Sequence, residues 1–107
     1  MKTIYEIDNR INGKLSDIIE QPVVIRVTDF DEKAAEDFAH DMSRAHNTGQ
    51  DIIPIVVDSY GGQVYSLLSM IAEIQAAHLP IATIGVGKSM SCGSILLSCG
   101  SEGLRFM

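Results

Sequence analysis

Residues 80–98, Pro80-Ile81-Ala82-Thr83-Ile84-Gly85-Val86-Gly87-Lys88-Ser89-Met90-Ser91-Cys92-Gly93-Ser94-Ile95-Leu96-Leu97-Ser98, decide the fold. Pro80 starts a strand that runs from Ile81 to Val86. The small-residue stretch Gly87 to Gly93 then makes an elbow, and Ser91 to Ser98 reads as a helical run. Gly100 and Gly103 lead on to a short strand at Leu104-Arg105-Phe106. A serine at the first turn of a helix, flanked by small residues, is how a hydroxyl is presented at the carboxyl edge of a parallel sheet.

Upstream, strand and helix signals alternate in the same way. Val23-Val24-Ile25-Arg26-Val27-Thr28 is a β-branched run and predicts a strand. Asp29 and Glu32 stand at capping-box spacing, which predicts a helix start. That helix is expected to bury Ala34, Ala35, Phe38, Ala39 and Met42, with Glu32, Lys33, Glu36, Asp37, Asp41 and Arg44 on its other face. Asn47-Thr48-Gly49 ends it. Ile52 to Val57 is a second strand, and its near-uniform apolarity predicts burial on both faces. Pro54 fits near that strand's start.

Gly61-Gly62 opens a second helix, expected to run to about His78 with Leu67, Met70, Ile71 and Ile74 along one side. Glu73 is its only acid, which predicts burial on more than one face. Within residues 1–20, Ile4 to Ile7 fits a strand and Leu15 to Glu20 a short helix or turn. Strands alternating with helices at this spacing predict an α/β fold with a mostly parallel sheet.

The chain has 107 residues, enough for a single domain, with a net charge of −6. That charge argues against nucleic acid or an anionic membrane as partner. It is unevenly placed: residues 1–58 carry 12 acidic and 6 basic side chains, residues 59–107 only 2 of each. The first half reads as a solvated shell, and the second as interior or as surface that another subunit covers. Cys92 and Cys99 are the only cysteines and are expected free and buried, as in a reducing compartment. Without a signal-peptide pattern or an apolar run of spanning length, a soluble, cytoplasmic protein is expected. No cofactor or metal site is expected.

A second elbow, Asp58-Ser59-Tyr60-Gly61-Gly62, comes after the second strand. Paired glycines at a helix start let a substrate approach the backbone and point N–H donors at developing negative charge. Either elbow alone also fits a tight turn or close packing. Together they supply an oxyanion donor and a nucleophile at the edge where parallel sheets bind ligands, the geometry acyl transfer needs.

The pair resembles the Clp protease proteolytic subunit, a serine peptidase family within the crotonase-like superfamily. The family writes its first elbow Ser-Pro-Gly-Gly, and Ser59-Tyr60-Gly61-Gly62 stands in its place. Its second, Gly-x-Ala-Ala-Ser-Met-Gly-Ala, is matched from Gly87 onward with Ser91 at the nucleophile position. The spacing from Gly62 to Ser91 agrees with the family's without a gap, and the likeness continues to a Gly-x-Arg-Phe tail at Gly103 to Phe106. It covers roughly Val23 to Met107. Residues 22–107 are thus expected to form a crotonase-like core of repeated β-α units, with residues 1–21 as an N-terminal segment of one partial domain.

The resemblance implies Ser91 as nucleophile and the backbone N–H groups of Gly62 and Cys92 as the oxyanion hole. Ser59, Tyr60 and Gly61 would line the strip that receives substrate. Tyr60 replaces the family's Pro, while Ser89 and Cys92 replace Ala and Met. The resemblance also implies a ring-forming homo-oligomer that receives polypeptide from an AAA+ unfoldase. In the family a catalytic His comes after the Ser and an Asp lies further on, yet no residue after Ser91 here is His or Asp. The handle helix and the C-terminal part of the family pattern are missing. Negligible hydrolysis is therefore expected of these 107 residues alone. The alternative is a non-catalytic protein that self-associates or joins and modulates full-length subunits.

Other bases fit less well. His40 and His46 fall on the polar helix and its end, and His78 ends the second helix away from the carboxyl edge. Lys88 is a candidate base by analogy with Ser–Lys dyads, but inside an elbow a charged, exposed ammonium is expected. Gly87-Lys88-Ser89 also looks like the end of a phosphate-binding loop. That reading needs residues 82–86 to be loop, whereas they read as strand.

Overall fold

The computed structural model describes residues 22–107; the strand at Ile4 to Ile7 and the turn or helix at Leu15 to Glu20 lie outside them. Four strands and three helices alternate: β1 (Ile25–Val27), α1 (Glu32–Ala45), β2 (Ile53–Ser59), α2 (Val64–Ala76), β3 (Ile81–Ser89), α3 (Cys92–Leu97) and β4 (Arg105–Phe106). The strands lie in sequence order and every pairing is parallel. The expected α/β class with a parallel sheet is what forms.

The helix α1 starts two residues later than the capping-box spacing suggests. Asp31, not Asp29, is its N-cap, and Asp31 Oδ1 accepts the Ala34 N–H at 2.7 Å. The reason lies just before it: Phe30 is buried, and its carbonyl is taken by the Gln63 N–H at 2.8 Å. Phe38, Met42 and Ala45 are the residues α1 buries fully; Ala34, Ala35 and Ala39 are half-buried. Burying a side chain the size of Phe38 or Met42 contributes about 1.5–3 kcal/mol.

Burial on both faces of β2 does not occur. Ile53, Ile55, Val57 and Ser59 are buried, while Pro54, Val56 and Asp58 between them are half-buried. The helices pack against one another in order, α1 on α2 and α2 on α3, as one layer. One face of the sheet therefore meets helices, and Ile25, Val27, Ile53, Ile55, Val57 and Ile81 form the core there with Phe38, Met42, Leu67, Met70 and Leu96.

For the same reason α2 is not buried on more than one side. Leu67, Met70 and Ile74 face the core, whereas Val64, Tyr65 and Leu68 are exposed, Tyr65 at 85%. The helix is also shorter than expected, because Gly61-Gly62 stays outside it and Ala77 ends it. Pro54 sits second in its strand, as expected. Cys92 is buried, but Cys99 is only half-buried; both are free thiols. No helix among the described residues is long and apolar enough to cross a membrane.

Candidate active site

The carboxyl ends of β2 and β3 bring the two elbows together. β3 does not stop at Val86 but continues to Ser89, so Gly87, Lys88 and Ser89 belong to the strand and not to a loop. The extension is held from β2: Lys88 N–H donates to Asp58 Oδ1 at 2.9 Å, and Met90 N–H to Ser59 O at 3.0 Å. This placement removes the phosphate-loop reading, which needs Gly87-Lys88-Ser89 to be a loop wrapped around an anion.

Ser91 stands at the turn into α3, as its N-cap. Its φ of 52° and ψ of −116° make it the one non-glycine residue with positive φ among the described residues. Such a backbone costs of order 1–3 kcal/mol and persists only where surrounding contacts hold it. Those contacts are visible. Cys92 and Gly93, immediately after Ser91, are buried. The Cys92 thiol points at Gly62 O, 3.5 Å away. A methyl group on Gly93 would stand 3.3 Å from Val57 Cγ1 and 3.4 Å from Ser59 O. The serine itself remains exposed.

The first elbow packs directly onto the second. A Cβ placed on Gly61 would lie 3.0 Å from Ser91 Cβ and 3.5 Å from Ser91 Oγ. Gly61 N–H donates to Ser59 Oγ at 3.0 Å, so the buried Ser59 shapes the strip from below. Gly62 is wedged against the β1–α1 loop: a Cβ there would sit 2.6 Å from Phe30 O and 2.7 Å from Phe30 Cβ. Only a residue without a side chain fits. Tyr60 stands out from the strip with 72% of its surface exposed. The structure thus gathers Ser59, Tyr60, Gly61, Gly62, Ser91 and Cys92 at one edge.

Lys88 is not a free base. Its Nζ lies 3.0 Å from Asp58 Oδ1 and 5.0 Å from the Tyr60 ring centroid. The hydrogen bond and charge of Asp58 push the Lys88 pKa up from its ordinary value. Asp58 is held below the usual carboxylate range, first by the Lys88 backbone N–H and then by the ammonium. His46 is also committed elsewhere. Its Nδ1 meets Met42 O at 2.8 Å, and its Nε2 accepts the His78 N–H at 3.1 Å. His78 precedes Ile81 and so lies at the amino end of β3, away from Ser91. No group of three or more His, Cys, Asp or Glu gathers as metal ligands among the described residues.

The Asp58–Lys88–Tyr60 cluster and the Phe30 contact are parts of this site that sequence reasoning missed. Opposite charges at the ends of neighbouring strands were a usable signal for the first. Nothing local marks the second.

Comparison with known proteins adds to this geometry. Residues 6–107 match the Clp protease family. The chain is 30% identical over 106 residues to the ATP-dependent Clp protease proteolytic subunit 1 of Chlamydia abortus, covering 92% of this chain and 55% of that one. It is 38% identical over 53 residues to the ATP-dependent Clp protease proteolytic subunit of Deinococcus radiodurans, covering 50% of this chain and 26% of that one. The chain spans at most about half the length of the curated relatives it matches. The crystal structure of the ClpP protease catalytic domain from Plasmodium falciparum superimposes with a TM-score of 0.73 at 22% identity, covering 97% of this chain and 56% of that one. At that identity it speaks for the fold alone.

Proposed function

The chain belongs to the Clp protease family, and from that premise we propose that its carboxyl-edge site is the nucleophile half of a serine endopeptidase centre. Ser91 attacks the scissile carbonyl, and the N–H groups of Gly62 and Cys92 take the oxyanion. Ser59, Tyr60 and Gly61 form the strip along which the substrate backbone lies. One observation carries the reading: Gly61 packs so closely on a serine held at φ 52° that a Cβ placed on it would lie 3.0 Å from Ser91 Cβ and 3.5 Å from Ser91 Oγ. Pre-set N–H donors beside a nucleophile stabilise the tetrahedral intermediate without reorganising during the reaction.

A hydroxyl needs a base, and Lys88, His46 and His78 do not supply one. Lys88 is tied to Asp58, His46 has both ring nitrogens engaged at the end of α1, and His78 sits at the far end of β3. The 107-residue polypeptide alone is accordingly proposed to hydrolyse peptides negligibly, since loss of a triad base lowers turnover by roughly a millionfold. Treatment with a fluorophosphonate probe, with mass spectrometry of the Ser91 peptide, tests the assignment. The isolated chain stays unlabelled, while a chain supplied with the family's His and Asp is labelled at Ser91. Labelling at another residue would refute it.

The partners proposed are copies of the same chain in an oligomer, polypeptide as substrate, and an AAA+ unfoldase that delivers it, in the cytoplasm. Supporting this, the relatives carry the description of subunits of an ATP-dependent protease. Exposed Tyr65, Leu68, Val86, Ile95 and Phe106 all lie in the poorly charged second half. The same exposed side chains favour a second reading, a non-catalytic subunit that self-associates or joins and modulates complete ones. Light scattering of the chain alone and mixed with a complete subunit decides it: a monodisperse monomer in both samples excludes this second role.

A further inference from the structure

Strands β2 and β3 run in step from Ile53↔Ile81 to Val57↔Gly85, and the next pair is Ser59↔Ser89. Between those pairs β2 contributes Asp58 alone, whereas β3 contributes Val86, Gly87 and Lys88. Extra residues of this kind bend a strand and re-aim the side chains beyond the bend. Here those side chains are Met90 and Ser91.

Across the irregularity the ladder would lose its bonds, but a side chain fills the gap. Asp58 Oδ1 accepts the Lys88 N–H at 2.9 Å and meets Lys88 Nζ at 3.0 Å. The carboxylate stands in for a missing backbone acceptor, and the ammonium of the same residue neutralises it. Gly87, at φ 79°, makes the room: a Cβ there would lie 3.0 Å from Asp58 Oδ1. Tyr60 flanks the pair, with Nζ 5.0 Å from its ring centroid. The next contact along the chain is Met90 N–H to Ser59 O, the bond that joins the two elbows beside Ser91.

We propose that Asp58 and Lys88, flanked by Tyr60, form a positioning clamp that sets the Gly61-Gly62 strip against Ser91. This rests on Ser91 as nucleophile and Gly62 as oxyanion donor. Alignment of strip and nucleophile then depends on a half-exposed ion pair as well as on backbone. The two roles of Asp58 are separable: an Asn in its place still accepts the Lys88 N–H but no longer holds the ammonium. Because the side chains are 39% and 40% exposed, salt screens their attraction and loosens the clamp.

Amide hydrogen exchange on the 107-residue chain tests this, comparing wild type, D58A, D58N and K88M at low and high salt. In D58A the Met90 amide exchanges faster by roughly tenfold, while Ile55 and Thr83 in the middle of the same strands keep their rates. D58N and K88M give smaller increases, and neither retains the salt dependence that Met90 shows in the wild type. If D58A fails to fold, D58N carries the comparison. Met90 changing only in step with Ile55 and Thr83, or not changing at all, overturns the clamp. Exchange needs no catalysis. A responsive Met90 in a completed but inactive enzyme counts against the peptidase reading alone, and an unresponsive Met90 in an active one counts against the clamp alone.

Discussion

The two ends of β2 and β3 are built on different plans. At the amino ends the ladder is regular and uncharged. Ile53 pairs with Ile81, Ile53 N–H donates to Pro80 O at 3.0 Å, and Ile81 N–H to Ser101 Oγ at 2.9 Å. Gln50 extends it sideways, accepting the Val23 N–H at 2.8 Å and donating to Val23 O at 3.1 Å and Ile52 O at 2.8 Å. At the carboxyl ends the register slips, Gly61, Gly87 and Ser91 take positive φ, and an ion pair carries the contact. Strain and charge are gathered at the end that holds Ser91, while the amino end is regular. Such concentration is expected of a site and not of a scaffold.

Four changes test this contrast. The largest effect is expected from G62A, whose methyl would fall 2.6 Å from Phe30 O. It should cost about 2–3 kcal/mol in a denaturant melt; a wild-type midpoint would mean the carboxyl edge is loosely packed. At the amino end, Q50A removes three hydrogen bonds to neighbouring backbone and should cost about 1–2 kcal/mol. A larger loss there than in G62A would invert the comparison.

S91G is expected to be more stable than S91A by about 1 kcal/mol, because glycine adopts φ 52° without strain. Equal melting temperatures would remove the claim that the serine is held under tension. The smallest effect concerns pH. The folded-state pKa of Asp58 is depressed by the Lys88 N–H and ammonium. Its contribution is therefore present above the ordinary carboxylate range and is lost as pH falls through the lowered value. In acid melts the gap between wild type and D58N should narrow below about pH 4. A gap that widens toward acid would reverse the assignment of the pair.

Much of this was legible from local signals. The β-branched runs, the spacing of Phe38 and Met42, and the small residues around Ser91 each announce an element within a few positions. What escaped depends on distant groups. The end of β3 is set by Asp58, thirty residues away. The choice of Asp31 over Asp29 as cap reflects Phe30, whose carbonyl serves Gln63 in another loop. The exposed side of α2 reflects a single helix layer, which composition alone does not reveal. The charge of Lys88 is visible in the sequence, but its partner Asp58 is fixed only by the pairing of β2 with β3.

The most direct measurement joins residues 1–107 to a C-terminal segment that carries the family's His and Asp, and monitors fluorophosphonate labelling and peptide hydrolysis. Label on Ser91 and hydrolysis that disappears in S91A are expected. A folded chimera that leaves Ser91 unlabelled, or that cleaves peptide equally well as S91A, would contradict it.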